Sequence, residues 1–405
     1  MGVGFKHIKK QHLAIAVALL VSFILRVYLS QFEGHALDIM HFKDWSRAAY
    51  YNGFQDFYSS VWADYPPFYI YILWFVGAIY KLFFSYPFDI YTNAFTILIK
   101  SPANVMDIAS ALLVFLIVKK HAGFKLAFPA MLFYAFNPAI IYNSAIWGQV
   151  DSVNTFFILL ALMFMESEKP ELAGASMAIA ILTKPQSLLL LPLIIVLLLK
   201  SQKPFRIVRA SIVSIAVFIM LALPFYLKTS LFELIKNYGT AYNEYSFTSL
   251  NAFNLWAFPG FWKPDSTPFL FLSYRIWGYI LFGVLFAYVA YRTAKNRDNR
   301  SIYLASAVLF FGFFMLFTRI HERYLFPMFA PLAIIMSLDR RFIVVFCIMT
   351  TTFLFNLGYV LEFSHMNMLI PDGDPYVMLT SVINLGVLIY TLHCFSTSKE
   401  KIVNI

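Results

Sequence analysis

Charge is scarce in this chain. Of its 405 residues only 13% are Asp, Glu, Lys or Arg, against about a quarter in a soluble domain. With 60% hydrophobic residues and a mean hydropathy of +0.71, the apolar surface exceeds what one water-soluble core can hide, which excludes an ordinary globular enzyme. Cysteine is nearly absent. Cys347 and Cys394 both fall inside apolar runs, so neither a disulfide framework nor a cysteine metal site is expected. No G-x-G-x-x-G or Walker pattern occurs, which excludes the usual soluble nucleotide-binding loops. No internal repeat or low-complexity linker divides residues 1–405, which read as one integral domain. A basic start and an apolar stretch, with no small-residue cleavage site, read as an uncleaved first span.

What is abundant points to the bilayer. The 45 Phe and 25 Tyr exclude disorder, and repeated apolar runs predict an all-α polytopic membrane protein. Candidate spans lie near 12–30, 66–84, 100–118, 126–144, 152–165, 172–183, 186–199, 207–227, 270–291, 301–317, 324–338, 342–360 and 376–395. The net charge of +10 does not argue for nucleic acid, because its residues gather in short loops between spans. These are Lys6, Lys9 and Lys10; Lys119, Lys120 and Lys125; Lys200, Lys203, Arg206 and Arg209; Arg292, Lys295, Arg297 and Arg300; Arg340 and Arg341; Lys399 and Lys401. Such loops are cytoplasmic by the positive-inside rule. One conflict follows. The N-terminus and the Lys119 loop both belong inside, yet three candidate spans separate them, with the stretch from Tyr86 to Lys100 the suspect region. The total is therefore about 11–13 spans.

Two outer loops are elaborated: residues 31–65, and residues 228–269, rich in Tyr, Phe, Trp and Asn. Interfacial anchoring is the default reading of Trp45, Trp62, Trp256 and Trp262. The polar clusters all sit at span ends on the side opposite the basic loops. GHALDIMHFKDW, residues 34–45, carries Asp38 and Asp44; a partly desolvated carboxylate there can take a proton from a hydroxyl, although a solvated loop acid is the commoner case. Asp56 and Asp64 have no better local claim. NPAIIYNSAIWGQVDS, residues 137–152, carries Trp147, Gln149 and Asp151; Asp151 and Ser152 suit a helix cap, while an indole beside an amide suits a sugar. Lys184, alone in an apolar stretch, either meets an anion or snorkels.

TRIHERYLFP, residues 318–327, places Arg319, His321, Glu322 and Arg323 on the outer face, where the orientation rule explains no cations. Paired guanidinium bonds suit a phosphate, and Glu322 can neutralise only one arginine. Asp107 within a span is a functional candidate by default, or a partner of Lys100. Glu244, in the loop NEYSFTSLNAFNLW, residues 243–256, is a candidate for carbohydrate contact.

In this order, DIMHFKDW, FYSSVWADYPPFYIYILW, KSPANVMDIASALL, NPAIIYNSAIWGQVDS, LTKPQSLLLLP, SFTSLNAFNLW and RIHERYLFP make the chain, over about residues 34–327, resemble the GT-C superfamily of membrane glycosyltransferases. Within it the chain is similar to prokaryotic relatives of the second mannosyltransferase of the GPI-anchor pathway. The resemblance implies a multi-pass cell-membrane protein with amphipathic outer-loop helices and an extracytoplasmic site. It implies an inverting reaction that moves a hexose, mannose first, from a polyprenyl-phosphate donor to a glycan or glycolipid acceptor. Asp38 would be the base. Lys184, Arg319, His321 and Arg323 would hold the leaving phosphate, and Asp44, Trp147, Gln149, Asp151 and Glu244 the sugar or acceptor. Asp38 is followed by Ile39 rather than a second acid, so no cofactor is expected, with divalent metal dependence left open. The alternatives are a flippase of lipid-linked sugars, or a glycan ligase or polymerase using a lipid-diphosphate donor. Oligomeric state is not readable from the sequence.

Overall fold

The computed structural model describes residues 2–84, 88, 90–201, 203–296, 298 and 300–398; Tyr86, Arg297, Lys399 and Lys401, and the side chains of Lys6 and Lys9, lie outside that description. The chain begins with α1 (Gly2–Leu29), then α2 (Ala36–Asn52), the single turn α3 (Phe57–Ser60), α4 (Pro67–Phe83) and the 30-residue α5 (Asn93–Ala122). Next come α6 (Phe124–Ala135), α7 (Pro138–Ile141) with a π-wound turn over Tyr142–Trp147, α8 (Asp151–Glu166), α9 (Pro170–Thr183), α10 (Leu191–Ser201) and α11 (Pro204–Ala222). After α12 (Phe232–Glu244) and an irregular loop, α13 (Tyr274–Lys295), α14 (Ser301–Leu316), α15 (Phe329–Leu338), α16 (Arg341–His365) and α17 (Pro375–Thr397) complete the fold.

Local signals set many of these boundaries. Thr92 accepts from Phe95 N to start α5, and Gly123, at φ +74°, stops it. Asn137 caps α7 through Ala139 N and Ile140 N, and Asp374 caps α17 through Tyr376 N and Val377 N. Proline occupies the first turn of α4, α9, α11 and α17. Among the described residues, six helices are long and apolar enough to cross a membrane, or seven when the pair bent by 41° at Phe136–Asn137 is counted as one span. The expected spans near 66–84, 172–183, 186–199 and 301–317 fall on the shorter apolar helices Pro67–Phe83, Pro170–Thr183, Pro185–Lys200 and Ser301–Leu316; those near 152–165 and 324–338 fall on α8 and α15.

The conflict over the early spans resolves in the packing. Ser30 Oγ accepts from Asn104, Arg26 meets Asp107, and Phe32 O meets Lys100. As numbers rise along α1 they fall along α5, so the two helices are antiparallel and their basic ends share one end of the bundle. The segment between them returns to where it started. Tyr65 OH, at the start of α4, donates to Gln149, and Tyr80 OH, near its end, lies 3.2 Å from Thr92 Oγ1. Both ends of α4 are thus on the site side. The expected span near 66–84 is instead an outer helix packed on α2, with Ser46 Oγ donating to Leu73 O. Phe42, Trp45, Phe57, Tyr69, Ile70 and Phe95 bury the pair in their own aromatic core. That core also takes in Trp45, whose Nε1 donates to Trp62 O, while Trp256 Nε1 donates to Leu316 O. These two indoles are packed structure rather than interfacial anchors.

The basic loops gather at the other end. Lys120 meets Glu166 at 2.7 Å, Arg206 reaches Glu168 O, Lys200 donates to Thr293 O, Arg292 donates to Ser396 O and Arg341 to Thr397. Asp107 pairs with Arg26 at 3.2 Å, both fully buried, and not with Lys100, whose Nζ donates to Phe32 O, Ala145 O and Ile146 O. An isolated buried charge costs more than the loss of a well-made pair. Arg26→Met alone is therefore expected to destabilise the protein by about 3–5 kcal/mol, and Arg26→Met with Asp107→Leu by much less. Thermal unfolding of the detergent-solubilised variants checks this, and equal losses for the two would contradict it.

Candidate active site

The site is built from segments that leave the bundle at one end. The π-wound turn closes at Gly148, φ +94°, which lets the chain reverse so that Trp147 and Gln149 project together. Gly34, at φ +77°, lies against Trp147 O, where a side chain would not fit. His35 N then donates to Trp147 O, and the His35 ring stacks on the indole with centroids 5.1 Å apart. Lys100, bridging Phe32 O to Ala145 O and Ile146 O, ties these two segments at their base.

Asp38 lies in the first turn of α2 above this junction. Its Oδ2 accepts from Trp147 Nε1 at 2.8 Å and Gln149 Nε2 at 2.5 Å, and lies 3.2 Å from His35 Nδ1. Burial pushes the Asp38 carboxyl up, but the Arg323 charge, His35 and the Trp147 N–H together outweigh it and hold it well below the ordinary carboxylate range. Sequence reading missed His35, which caps α2 by accepting from Asp38 N; His is not one of the residue types that mark a helix start, so no local signal announced it.

The 318–323 turn is fixed from the other side. Two-residue strands β1 (Ser249–Leu250) and β4 (Ile320–His321) pair in parallel; a small hairpin of β2 (Pro268–Phe269) and β3 (Leu272–Ser273) precedes α13. Arg319 takes φ +64°, an unfavourable region for a residue with a side chain. Its guanidinium is committed to Asp265 at 2.7 and 3.3 Å and to Tyr242 O at 2.8 Å, over the Tyr242 ring. Asp265, not Glu322, is therefore its counter-ion, and Arg319 braces the loop as well as bordering a cavity. Glu322 is bound by Arg323 Nη1 at 2.7 Å, while Arg323 Nε is buried without a hydrogen-bond partner among the described residues. Burial, then the Arg323 charge, pushes the His321 imidazole well below its ordinary range. Lys184 Nζ meets Asp151 Oδ1 at 2.6 Å beneath the rings of Tyr65 and Tyr324, and Asn143 donates to Asp151 Oδ2.

Two cavities meet here. One, of about 550 Å³, runs between apolar walls including Leu188, Leu189, Phe282, Phe313 and Phe317 to Lys184, Arg319, His321 and Arg323. The other, of about 440 Å³, holds Asp38, Trp147, His35 and Glu322 under Trp62 and Trp262. Asp64, Tyr65, Tyr245, His321 and Arg323 line both. An apolar trough ending in cations, joined to a polar chamber with a carboxylate, can take an amphiphilic anion at the junction and a polar group beyond it.

Some expected residues are elsewhere. Asp44, six positions after Asp38, points to another face of α2 and pairs with Arg47 at 3.1 Å. Glu244 ends α12 on an exposed recess with Trp62 and Lys236. Gln149 and Asp151 touch the site through Asp38 and Lys184 rather than by bordering either cavity. Among the described residues no group of three or more His, Cys, Asp or Glu side chains is placed to hold a metal ion.

Residues 13–262 match the family model of the GPI transamidase subunit PIG-U. Among solved structures, ArnT from Cupriavidus metallidurans bound to undecaprenyl phosphate aligns with a TM-score of 0.53 at 13% identity, covering 96% of this chain and 77% of that one. A search of curated proteins finds no match. The matching family is named for a GPI transamidase subunit and not for the mannosyltransferase that the sequence resembles. With well over half its length matched, and the GT-C membrane fold beneath, the chain belongs to the PIG-U family.

Proposed function

We propose that this chain is a glycosyltransferase that moves a hexose, mannose first, from a polyprenyl-phosphate donor to a glycan or glycolipid at the extracytoplasmic face of the cell membrane. The observation that carries this reading is the shared wall of the two cavities, where Arg323 and His321 border both the apolar trough and the Asp38 chamber. The lipid tail occupies the trough, the phosphate lies by Arg323 and Lys184, and the sugar enters the chamber. Asp38 takes the acceptor hydroxyl proton as that oxygen attacks the anomeric carbon, and the phosphate departs with inversion. Trp147 and Gln149 hold Asp38 in place, which is how they serve the sugar site. The likeness to ArnT, whose solved structure contains undecaprenyl phosphate, supports a polyprenyl-phosphate partner. The basic loops at the opposite end support an extracytoplasmic site.

The family description favours a second reading, a subunit of a larger assembly rather than a transferase in its own right. Transport is less well supported, because Asp107 is closed on Arg26 and borders neither cavity. Purified protein incubated with a panel of polyprenyl-phosphate hexoses and glycolipid acceptors is expected to release free lipid phosphate. Binding without release from any donor would favour the subunit reading.

A further inference from the structure

Asp64 has no local distinction in the sequence, yet it lines both cavities at their junction. The other carboxylates there are already engaged: Asp38 by Trp147 and Gln149, Asp151 by Lys184, Glu322 by Arg323. Asp64 has no ion pair and no side-chain partner among the described residues. It stands where the bond between sugar and phosphate would lie if the transferase reading holds, on which this inference rests.

We propose that Asp64 is the general acid of the transfer, giving its proton to the phosphate oxygen that leaves the anomeric carbon. The acceptor oxygen forms its bond to that carbon while Asp38 takes the hydroxyl proton. The carbon–oxygen bond to phosphate breaks, its electron pair stays on the phosphate oxygen, and Asp64 supplies the proton there. Asp38 ends protonated and Asp64 ionised, and both reset by exchange with water, so protons balance.

The electrostatics agree with this division. Burial raises the Asp64 carboxyl to about 6; a hydrogen bond from its own backbone N–H and then the Arg323 charge oppose the rise, and Glu244 and Asp38 add to it. Lys184, Arg319, His321, Tyr65, Tyr245 and Tyr324 also border the trough beside it. Two carboxyls whose surroundings drive their proton affinities apart suit an acid and a base. An acid must be protonated to work, so turnover falls as pH rises through the Asp64 value, and an arriving phosphate anion moves that fall to higher pH.

The test is the pH profile of kcat for wild type, Asp64→Asn and Asp64→Glu, with a polyprenyl-phosphate hexose found active in the donor panel, beside binding of polyprenyl phosphate. Asp64→Asn is expected to lose about 100-fold in kcat, to bind polyprenyl phosphate as wild type does, and to lack the alkaline fall. Asp64→Glu is expected to restore part of the rate with a shifted fall, which also guards against a folding defect in the Asn variant. An Asp64→Asn enzyme within twofold of wild type, or one that keeps the wild-type alkaline fall, overturns the acid role. A wild type that releases no lipid phosphate overturns the transferase reading itself, a separate and distinguishable result.

Discussion

Asp38→Asn is expected to reduce sugar transfer by about 10²–10⁴-fold while polyprenyl-phosphate binding stays near wild type. That range is what a positioned acid or base contributes. Asparagine preserves the shape of the side chain, and its carbonyl oxygen can still accept from Trp147 Nε1 and Gln149 Nε2, the two donors now on Oδ2. What it cannot do is take up a proton. Arg323 keeps Glu322 as counter-ion at 2.7 Å, so the substitution does not leave an isolated buried cation. Initial rates with saturating donor, together with donor affinity, separate the two effects. Full turnover by the variant would remove Asp38 from the chemistry.

The second large effect is expected at Arg323. It borders both cavities, has a buried Nε without a partner among the described residues, and is the strongest influence lowering the Asp38 carboxyl. Arg323→Met is expected to weaken donor binding by about 10–100-fold, the worth of a charge-assisted hydrogen bond, with Arg323→Lys intermediate because the paired geometry is lost. A pH effect accompanies it. Asp38 must be ionised to act as a base, so activity is present above its pKa and is lost as pH falls through it. In the free wild-type enzyme that loss lies below the ordinary carboxylate range. Removing the Arg323 charge raises the Asp38 pKa, and the acidic limb of kcat/KM is expected to move to higher pH. On the proposed reading, a bound donor phosphate would offset the same charge and make Asp38 a better base. An acidic limb that does not move in Arg323→Met would show that Arg323 does not act on Asp38.

The contrast with Arg319 shows what could be read from the sequence and what could not. Polar residues at the ends of apolar spans marked Asp38, Trp147, Lys184 and the 318–327 turn, because bare charges near hydrocarbon are costly and stand out against their neighbours. Their counter-ions did not stand out. Asp265 is 54 positions from Arg319, and Arg26 is 81 from Asp107; nothing local in the chain announces such pairs. Asp44 was legible in principle, since six residues along a helix turn a side chain well away from Asp38, but only once α2 is recognised as a helix. Hydropathy read α4 as a span because Pro67–Phe83 is apolar. Its apolarity instead serves an aromatic core shared with α2 and the near ends of α8, α9 and α11. Composition cannot distinguish a helix that crosses lipid from one buried against other helices. Asp64 was overlooked for a related reason. Its significance is its place between two cavities, which exist only after residues 184–189, 238–245 and 318–324 come together.

The most direct measurement is an electron cryo-microscopy structure with a non-transferable polyprenyl-phosphonate hexose bound. The expected density has the lipid in the apolar trough, the phosphonate within hydrogen-bond reach of Arg323, and the anomeric carbon turned toward the Asp38 chamber. A headgroup seated away from the cavity junction, or a sugar pointing out of that chamber, would contradict the proposed reaction.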